Sequence, residues 1–365
     1  MNKDFSERGE QMGKGLLQLF PLERRDFWRY TADRQQEIRE IRLRVDRPVI
    51  VLWKSGEVFL DERGYFTNQC GEAYCAQDKE LQALFRHICH DSPYAFEEEI
   101  RQGFVTVEGG HRVGIAGQVV LETGTCVRTM KHIAYMNIRV AHELKGVADK
   151  VLPRLYGANG LKNTLIISPP GCGKTTLLRD LVRRISDGNP YGEGMSVGLV
   201  DERSEIAGSY LGHPQNDVGM RTDVLDACPK VLGMMLLLRS MSPKVIAIDE
   251  IGGREDMEAL RQAAYCGSRI LATIHGEGTE DYRNKMMRYG MAADPLFECI
   301  LVLGKLNGVP VVREICGKEE LYDSFAGRNY DTCGVPWNGA VVSGSFHGET
   351  KLPARFAADS GTADQ

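Results

Sequence analysis

Residues 164–178 read TLIISPPGCGKTTLL: a short apolar run, a turn rich in proline and glycine, and Lys-Thr-Thr before a second apolar run. This order predicts a buried strand, a loop that curls around a phosphate group, and a helix whose N-terminus points at that phosphate. The loop follows the pattern G-x-x-x-x-G-K-[ST], except that Ser168 stands where the pattern has its first glycine. An ordinary strand-to-helix turn with a capping threonine is the alternative, and the stretch favours the phosphate-binding loop.

This hypothesis gives the residues of the loop separate roles. Small residues let backbone N–H groups point at a β-phosphate, Lys174 neutralises the β and γ oxygens, and the Thr175 hydroxyl coordinates Mg²⁺. Cys172 lies near a helix N-terminus, which favours a thiolate, but a small spacer residue is the interpretation we prefer. The predicted nucleotide-binding residues are Ser168, Pro169, Pro170, Gly171, Cys172, Gly173, Lys174, Thr175 and Thr176.

Two carboxylates follow the predicted strand VIAIDE at residues 245–250. Parallel strands present their C-terminal ends at one edge of a sheet, where α/β proteins bind ligands. Asp249 is therefore predicted to lie in the coordination shell of Mg²⁺, and Glu250 to orient and polarise an attacking water. A solvated strand end is the alternative, but together with the loop this pair predicts hydrolysis as well as binding.

Two further predicted strands end in charged or titratable residues. LVDERSE, residues 199–205, closes one of them, and RILATIH, residues 269–275, closes the other with His275. All of these strand ends are expected to face the phosphates. A γ-phosphate sensor and a structural histidine are equally good interpretations of His275.

Length and composition exclude few classes of protein. The chain has 365 residues, which suggests about two domains, and its net charge of -5 gives no global attraction to nucleic acid or anionic lipid. No apolar stretch approaches the roughly 18 to 20 residues that span a bilayer, so a cytosolic protein is expected. Ten scattered cysteines without C-x-x-C pairs favour reduced thiols. Cys70, Cys75, Cys89 and His90 fit no zinc spacing.

The pattern of elements changes after Gly146. Residues 1–145 are predicted to form a smaller α+β domain with hairpins and one amphipathic helix, and residues 146–316 a RecA-like α/β domain with a mostly parallel sheet. Residues 317–365 are rich in Gly, Ser, Asp and Thr and are expected to be a poorly ordered tail. The strands predicted for the α/β domain are Thr164 to Ser168, Ser196 to Val200, Val245 to Ile248 and Arg269 to Thr273.

The nucleotide motifs resemble those of one superfamily. MSPKVIAIDEIGGREDMEALRQAAYCGSRILATIH is similar to the segment from the Walker B motif to the histidine box in secretion-superfamily ATPases of type II and type IV systems, and LVDERSE resembles their aspartate box. IRLRVDRP, GGHRVGIAGQVV and NIRVAHELKG resemble the members that act at stage III of sporulation in endospore formers. Those relatives usually have Gly where this chain has Asp249, and Arg where it has Gly252.

The resemblance implies a homohexameric ring that hydrolyses ATP at the cytosolic face of a membrane channel complex, with membrane proteins of the stage III sporulation channel as partners. It assigns Lys174 to the P-loop together with Thr175. It assigns the catalytic glutamate to Glu250 and the histidine box to His275. The aspartate box then consists of Glu202 and Glu205.

Ring ATPases of this kind commonly need an arginine from elsewhere, acting in trans, that stabilises charge in the transition state. Arg112 and Arg139 are the favoured candidates, and single alanine changes that left turnover intact would exclude both. The other candidates are Arg128, Arg203 and Arg239.

Three other functions compete with a secretion-type ATPase. A motor on single-stranded nucleic acid would bind with a steep salt dependence, yet basic residues interleaved with aromatic ones are not evident. A GTP-operated switch usually carries N-K-x-D, whereas Asn284 and Lys285 are followed by two methionines, which favours ATP. A scaffold without activity would leave the loop, the carboxylates and the histidine without a purpose.

Overall fold

The computed structural model describes residues 15–318, except 55, 123, 125–126 and 292–295, together with residues 335 and 336. Within these ranges the strands form a seven-stranded sheet, an eight-stranded sheet and a two-stranded ribbon. None of the helices in the described ranges combines the length and apolar character needed to cross a bilayer.

The seven-stranded sheet is antiparallel and has the order β4-β3-β2-β1-β7-β6-β5. Its strands are β1 Ile38–Arg44, β2 Ile50–Trp53, β3 Gly56–Leu60, β4 Phe66–Thr67, β5 Phe104–Thr106, β6 Arg112–Leu121 and β7 Val127–Arg139. The α-helices with described bounds in this part of the chain are α1 Arg25–Ala32, α2 Asp78–Ile88 and α3 Glu97–Gln102. Short 3-10 helices lie at Leu22–Arg24, Gln35–Glu37, Cys70–Glu72, Pro93–Phe96 and Glu108–Gly110.

Alternating apolar residues explain why one face of this sheet is buried. In β1, Ile38, Ile41 and Leu43 are buried, and the leucines and Phe85 of α2 pack into the same core. The helices thus cover one face of the sheet. The hairpin between β5 and β6 turns at Gly109 and Gly110, both with positive φ.

The eight-stranded sheet has the order β12-β11-β13-β14-β10-β15-β16-β17, and the pairs from β12 to β15 are parallel. Its strands are β10 Thr164–Ser168, β11 Val197–Asp201, β12 Thr222–Asp226, β13 Val245–Ile248, β14 Arg269–His275, β15 Cys299–Leu306, β16 Val309–Gly317 and β17 Val335–Pro336. The ribbon pairs β8 Tyr156–Gly157 with β9 Gly160–Leu161. The helices are α4 Leu152–Leu155, α5 Lys174–Asp187, α6 Lys230–Ser240, α7 Arg254–Tyr265 and α8 Thr279–Arg288.

Helices cover both faces of the eight-stranded sheet. Leucines of α5 pack against Ile166 and Leu271 on one face, whereas α6, α7 and α8 pack against Ile167 and Ile246 on the other. Burial on both faces explains why the central strands are apolar throughout. The C-terminal ends of β10, β11, β13 and β14 therefore meet at one edge.

The predicted fold class is confirmed, and the predicted strands of the parallel sheet lie within one or two residues of their observed bounds. The sequence-based interpretation missed β12 and the antiparallel pair of β15 with β16. Asn307-Gly308 between two apolar runs is a hairpin signal that could have revealed the second of these. Most of the predicted tail, 317–365, lies outside the described residues.

Candidate nucleotide-binding site

The loop between β10 and α5 has the conformation of an anion-binding cradle. Gly171 has φ 71° and Gly173 has φ 82°, left-handed values that other residues rarely adopt. Gly173 is the N-cap of α5 and has no side chain to cap it, so the first N–H groups of this helix are free to face a ligand. A cavity of about 430 Å³ opens in front of the loop and extends to Asp249 and His275; we call it the nucleotide cavity, after the predicted ligand. Helix and loop together favour a phosphate here.

Lys174 lies between the two carboxylates that follow β13. Its Nζ is 3.4 Å from Glu250 Oε2 and 3.9 Å from Asp249 Oδ1. The lysine and aspartate side chains are nearly buried. Burial raises the pKa of Asp249, and the charge of Lys174 opposes that rise. In this structure the two carboxylates thus neutralise the charge of Lys174.

His275 connects the end of β14 with the phosphate loop and with Glu250. Its Nδ1 lies 3.3 Å from the carbonyl oxygen of Ser168, to which it can donate a hydrogen bond. Its Nε2 lies 3.3 Å from Glu250 Oε2. The ring therefore joins Glu250 to the end of β10, a position that suits both interpretations of His275, a γ-phosphate sensor and a structural histidine.

The loop after β11 is shaped by Asp201, a fully buried residue. Its carboxylate accepts hydrogen bonds from the backbone N–H groups of Glu205, Ile206 and Ala207 at 2.8 to 3.0 Å. Arg179 of α5 donates to the carbonyl oxygens of Glu205 and Ile206 from the other side. These two sets of hydrogen bonds hold the loop so that the Glu205 side chain lies in the nucleotide cavity.

The structure separates the two glutamates predicted for the aspartate box. Glu205 lines the nucleotide cavity. Glu202 instead forms an ion pair with Lys230 of α6 and lines a smaller cavity of about 80 Å³ beside Glu250. Glu202 thus lies beside Glu250 in a neighbouring cavity and Glu205 in the larger one, and the assignment of both to the aspartate box stays a prediction.

Most of the predicted loop residues surround the same cavity. Those that line it are Pro169, Pro170, Gly171, Gly173, Lys174 and Thr175. Ser168 is buried, and its hydroxyl donates to the carbonyl of Pro169. Cys172 is only 4% exposed and packs in the core beside α5, which supports its role as a small spacer. Thr176 lies in the first turn of α5.

The candidate arginines occupy different surroundings. Arg112 lies 3.8 Å from Glu205, and its guanidinium stacks 3.4 Å from the centre of the Phe104 ring. Arg203 lines the nucleotide cavity. Arg139 pairs with Glu40 at 3.7 Å on the seven-stranded sheet. The remaining candidates, Arg128 and Arg239, are exposed.

The donor set suits a cation that arrives with a nucleotide. Asp249 Oδ1 is buried and has no hydrogen-bond partner among the described residues, and Thr175 lines the same cavity. Across the described ranges no group of three His, Cys, Asp or Glu side chains is placed to hold a metal ion. A hydroxyl and one carboxylate leave the other coordination positions to phosphate oxygens and water, as Mg²⁺ prefers.

The sequence missed Asp201, Arg179 and Lys230 as residues that build the site. Asp201 stands at a predicted strand end, so its place near the site could be predicted. Its carboxylate, however, accepts hydrogen bonds from the backbone of its own loop. The partners of Arg179 and Lys230 lie on other elements, and no local pattern marks them.

The fold and the site define a P-loop protein with the secretion-ATPase fold. The X-ray structure of the Legionella pneumophila ATPase DotB matches 85% of this chain and 85% of its own length, with a TM-score of 0.52 and 15% identity. The crystal structure of the pilus retraction motor PilT with bound ADP matches 82% of this chain and 86% of its own length, with a TM-score of 0.55 and 15% identity. At such identities the likeness concerns the fold.

Sequence comparison then identifies the family of the chain. The family model described as sporulation stage III, protein AA, matches residues 10–320. Stage III sporulation protein AA of Bacillus subtilis (strain 168) is 41% identical over 283 residues, which are 78% of this chain and 88% of the relative. The chain belongs to the sporulation stage III protein AA family, and the resemblance predicted from its motifs is confirmed.

Proposed function

We propose that the protein binds ATP with Mg²⁺ in the cavity before α5 and hydrolyses it. The observation that carries this proposal is the convergence of three side chains at the N-terminus of α5: Lys174 from the helix itself, and Glu250 and His275 from the ends of β13 and β14. Phosphate binding alone would require the loop and the lysine but not the glutamate or the histidine. The glutamate held by a histidine adds a group that can accept a proton from water.

The chemistry follows from the positions of these side chains. Lys174 turns from the two carboxylates to the β and γ phosphate oxygens, which releases Glu250 from its ion pair. Glu250 then accepts a proton from water as the water oxygen bonds to the γ phosphorus, and the bond from that phosphorus to the bridging oxygen breaks to give ADP and phosphate. Mg²⁺, held by Thr175 and with Asp249 in its shell, would supply positive charge to the phosphates. His275 orients Glu250 during this step.

Glu205 connects the cavity with the seven-stranded sheet. It lines the cavity and lies 3.8 Å from Arg112 of β6. We propose that this contact is broken when a nucleotide binds, so that the arginine can reach the phosphates and Glu205 can accept a hydrogen bond from water in the cavity. Glu202, paired with Lys230, would hold the neighbouring loop in place.

Replacing Lys174 with alanine tests the proposed function most directly. A buried ammonium that hydrogen-bonds to phosphate contributes about 2 kcal/mol, so the Kd for Mg-ATP should rise roughly 30-fold and hydrolysis should be lost. Isothermal titration calorimetry and phosphate release on the full chain measure both. Lys162, which bonds to the carbonyl of Arg154 away from the cavity, gives a matched control in Lys162→Ala. Wild-type protein that bound no nucleotide would contradict the proposal.

Arg112→Ala should lower turnover at least tenfold, because the guanidinium stabilises charge that develops on the γ-phosphate. Arg139→Ala is the control, since Arg139 pairs with Glu40 instead of a cavity residue. Steady-state phosphate release at saturating ATP is the measurement. If turnover of the Arg112 variant equals that of wild type, the arginine has no part in the reaction.

Family membership supports a role in sporulation, and the secretion-ATPase fold supports a motor. We propose that residues 1–145 and 146–316 act as two domains whose relative position follows the nucleotide state. We further propose that the chain assembles into a hexameric ring that acts on membrane proteins of the stage III channel complex from the cytoplasm. A net charge of -5 is consistent with no direct role for nucleic acid.

A further inference from the structure

The hairpin of β15 and β16 rises beside the phosphate loop. β15 pairs with β10 as far as Val302, opposite Ile167, and then continues to Leu306. The hairpin closes at Asn307 and Gly308, both with positive φ, which is the turn geometry that matches the twist of paired strands. The last residues of β15 therefore extend past the end of β10, next to the loop that follows it.

The alternation of side chains along β15 decides which residue meets the loop. Leu301 and Leu303 pack with α5, whereas Ile300 and Val302 pack on the opposite face of the sheet. Lys305 continues the first series and so lies on the α5 face. A Cβ on Gly171 would lie 3.5 Å from Lys305 Nζ. The ammonium is thus beside Gly171, one of the glycines that line the nucleotide cavity.

Lys305 is free to take a new partner. Its side chain is exposed, and among the residues that the structure describes it forms no ion pair. Lys174, by contrast, lies between two carboxylates. Lys305 is therefore a cation at the loop in addition to Lys174 and Arg203, and it lies on the side away from Asp249 and Glu250.

The order of the strands indicates which end of a bound nucleotide would lie near β13 and which near β15. The carboxylates follow β13, His275 follows β14, the loop follows β10, and Lys305 belongs to β15, the next strand in the sheet. Neighbouring strands lie roughly 4.8 Å apart, so β13 and β15 are about 14 Å apart across this edge. A γ-phosphate beside Glu250 and a β-phosphate at the loop leave the α-phosphate and the nucleoside toward β15.

We propose that Lys305 binds the α-phosphate and marks the nucleoside end of the site. This assignment rests on the proposed function and adds a residue that the loop motif does not contain. The fixed hairpin holds the ammonium near the loop, and the contact is made equally by ATP and ADP because both carry an α-phosphate.

Calorimetric titration of the full chain with Mg-ATP and with Mg-ADP tests the assignment. Lys305→Ala should raise the Kd about tenfold for both nucleotides, since a charge-assisted hydrogen bond is lost. Lys305→Arg should keep the Kd within about threefold of wild type. The matched control is Arg313→Ala, an exposed cation of the same hairpin whose side chain crosses Gly304 on the other face of the sheet. It should leave both Kd values unchanged.

Three results would overturn the assignment. In the first, the Kd values of Lys305→Ala equal those of wild type. In the second, Lys305→Ala weakens the binding of ATP but not of ADP, which would place the lysine at the γ-phosphate. In the third, Arg313→Ala weakens nucleotide binding as much as Lys305→Ala does. Each of these leaves the proposed function intact as long as Lys174→Ala still weakens binding. If wild type binds neither nucleotide, the proposed function itself fails. Thermal unfolding of each variant shows that the fold is kept.

Discussion

Glu250→Gln is expected to lower the rate of ATP hydrolysis about 1000-fold while ATP binding is retained. Glutamine has the shape of glutamate but cannot accept the proton of an attacking water, and general bases contribute roughly 10²- to 10⁴-fold to enzymatic rates. The variant also removes the carboxylate that lies 3.4 Å from Lys174, which leaves the ammonium free for phosphate. We therefore expect the Kd for Mg-ATP to stay equal or to fall.

The matched control for this variant is Glu255→Gln. Glu255 is an exposed residue in the first turn of α7, close in sequence but outside the nucleotide cavity. Its turnover should equal that of wild type. Single-turnover phosphate release compares the two proteins, and a Glu250→Gln protein with unchanged turnover would exclude the glutamate as the base.

The same variant provides the sample for the proposed ring. Because it holds ATP without hydrolysing it, light scattering of Glu250→Gln with and without Mg-ATP measures the assembly in a defined state. A mass of six chains with ATP is expected. A single chain under both conditions would contradict the hexamer, although the assignment of the nucleotide site would stand.

Asp201→Ala is expected to destabilise the protein by about 3 kcal/mol and to abolish hydrolysis. The change removes the acceptor of three backbone N–H groups, and each unsatisfied buried donor costs about 1 to 3 kcal/mol, partly offset where water enters. Without these bonds Glu205 is no longer held in the cavity. Urea unfolding measures the loss. Asp223→Ala, an exposed aspartate of β12, should leave stability unchanged.

The carboxylate of Asp201 also predicts a pH dependence. Burial raises its pKa to about 6, against about 3.9 in an unfolded chain. The folded protein holds this proton more tightly, so the associated stabilisation is complete below about pH 4 and is lost as pH rises through about 6. Asp201→Asn cannot titrate. The stability of wild type relative to this variant should therefore be greater at pH 4 than at pH 7, and a constant difference would contradict the role of burial.

Local sequence was sufficient for the parts of the site that are contiguous. A strand, a loop with glycines and a helix that begins at Lys174 follow one another without a break, so the pattern contains the whole structure of the phosphate loop. Asp249 and His275 were placed by the rule that parallel strands end at one edge. That rule needs only the order of elements and therefore works before any contact is known.

The sequence could not separate Glu202 from Glu205 or find the target of Asp201. Both glutamates follow the same strand, and their directions depend on a backbone that is held by Asp201 from within and by Arg179 from another helix. Glu202 then forms an ion pair with Lys230 and does not line the nucleotide cavity. Such contacts join residues far apart in the chain, so the spacing of residues along the sequence does not indicate them.

The sequence by itself thus determined the class of fold, the phosphate loop and the strand ends that carry Asp249, Glu250 and His275, because short-range patterns of burial and turn residues set these features. Tertiary structure alone decided which glutamate faces the cavity and that Lys305 stands beside Gly171. The physical reason is that strand order and strand overhang arise when distant segments pack into one sheet. Only that packing brings a lysine of β15 to the loop after β10.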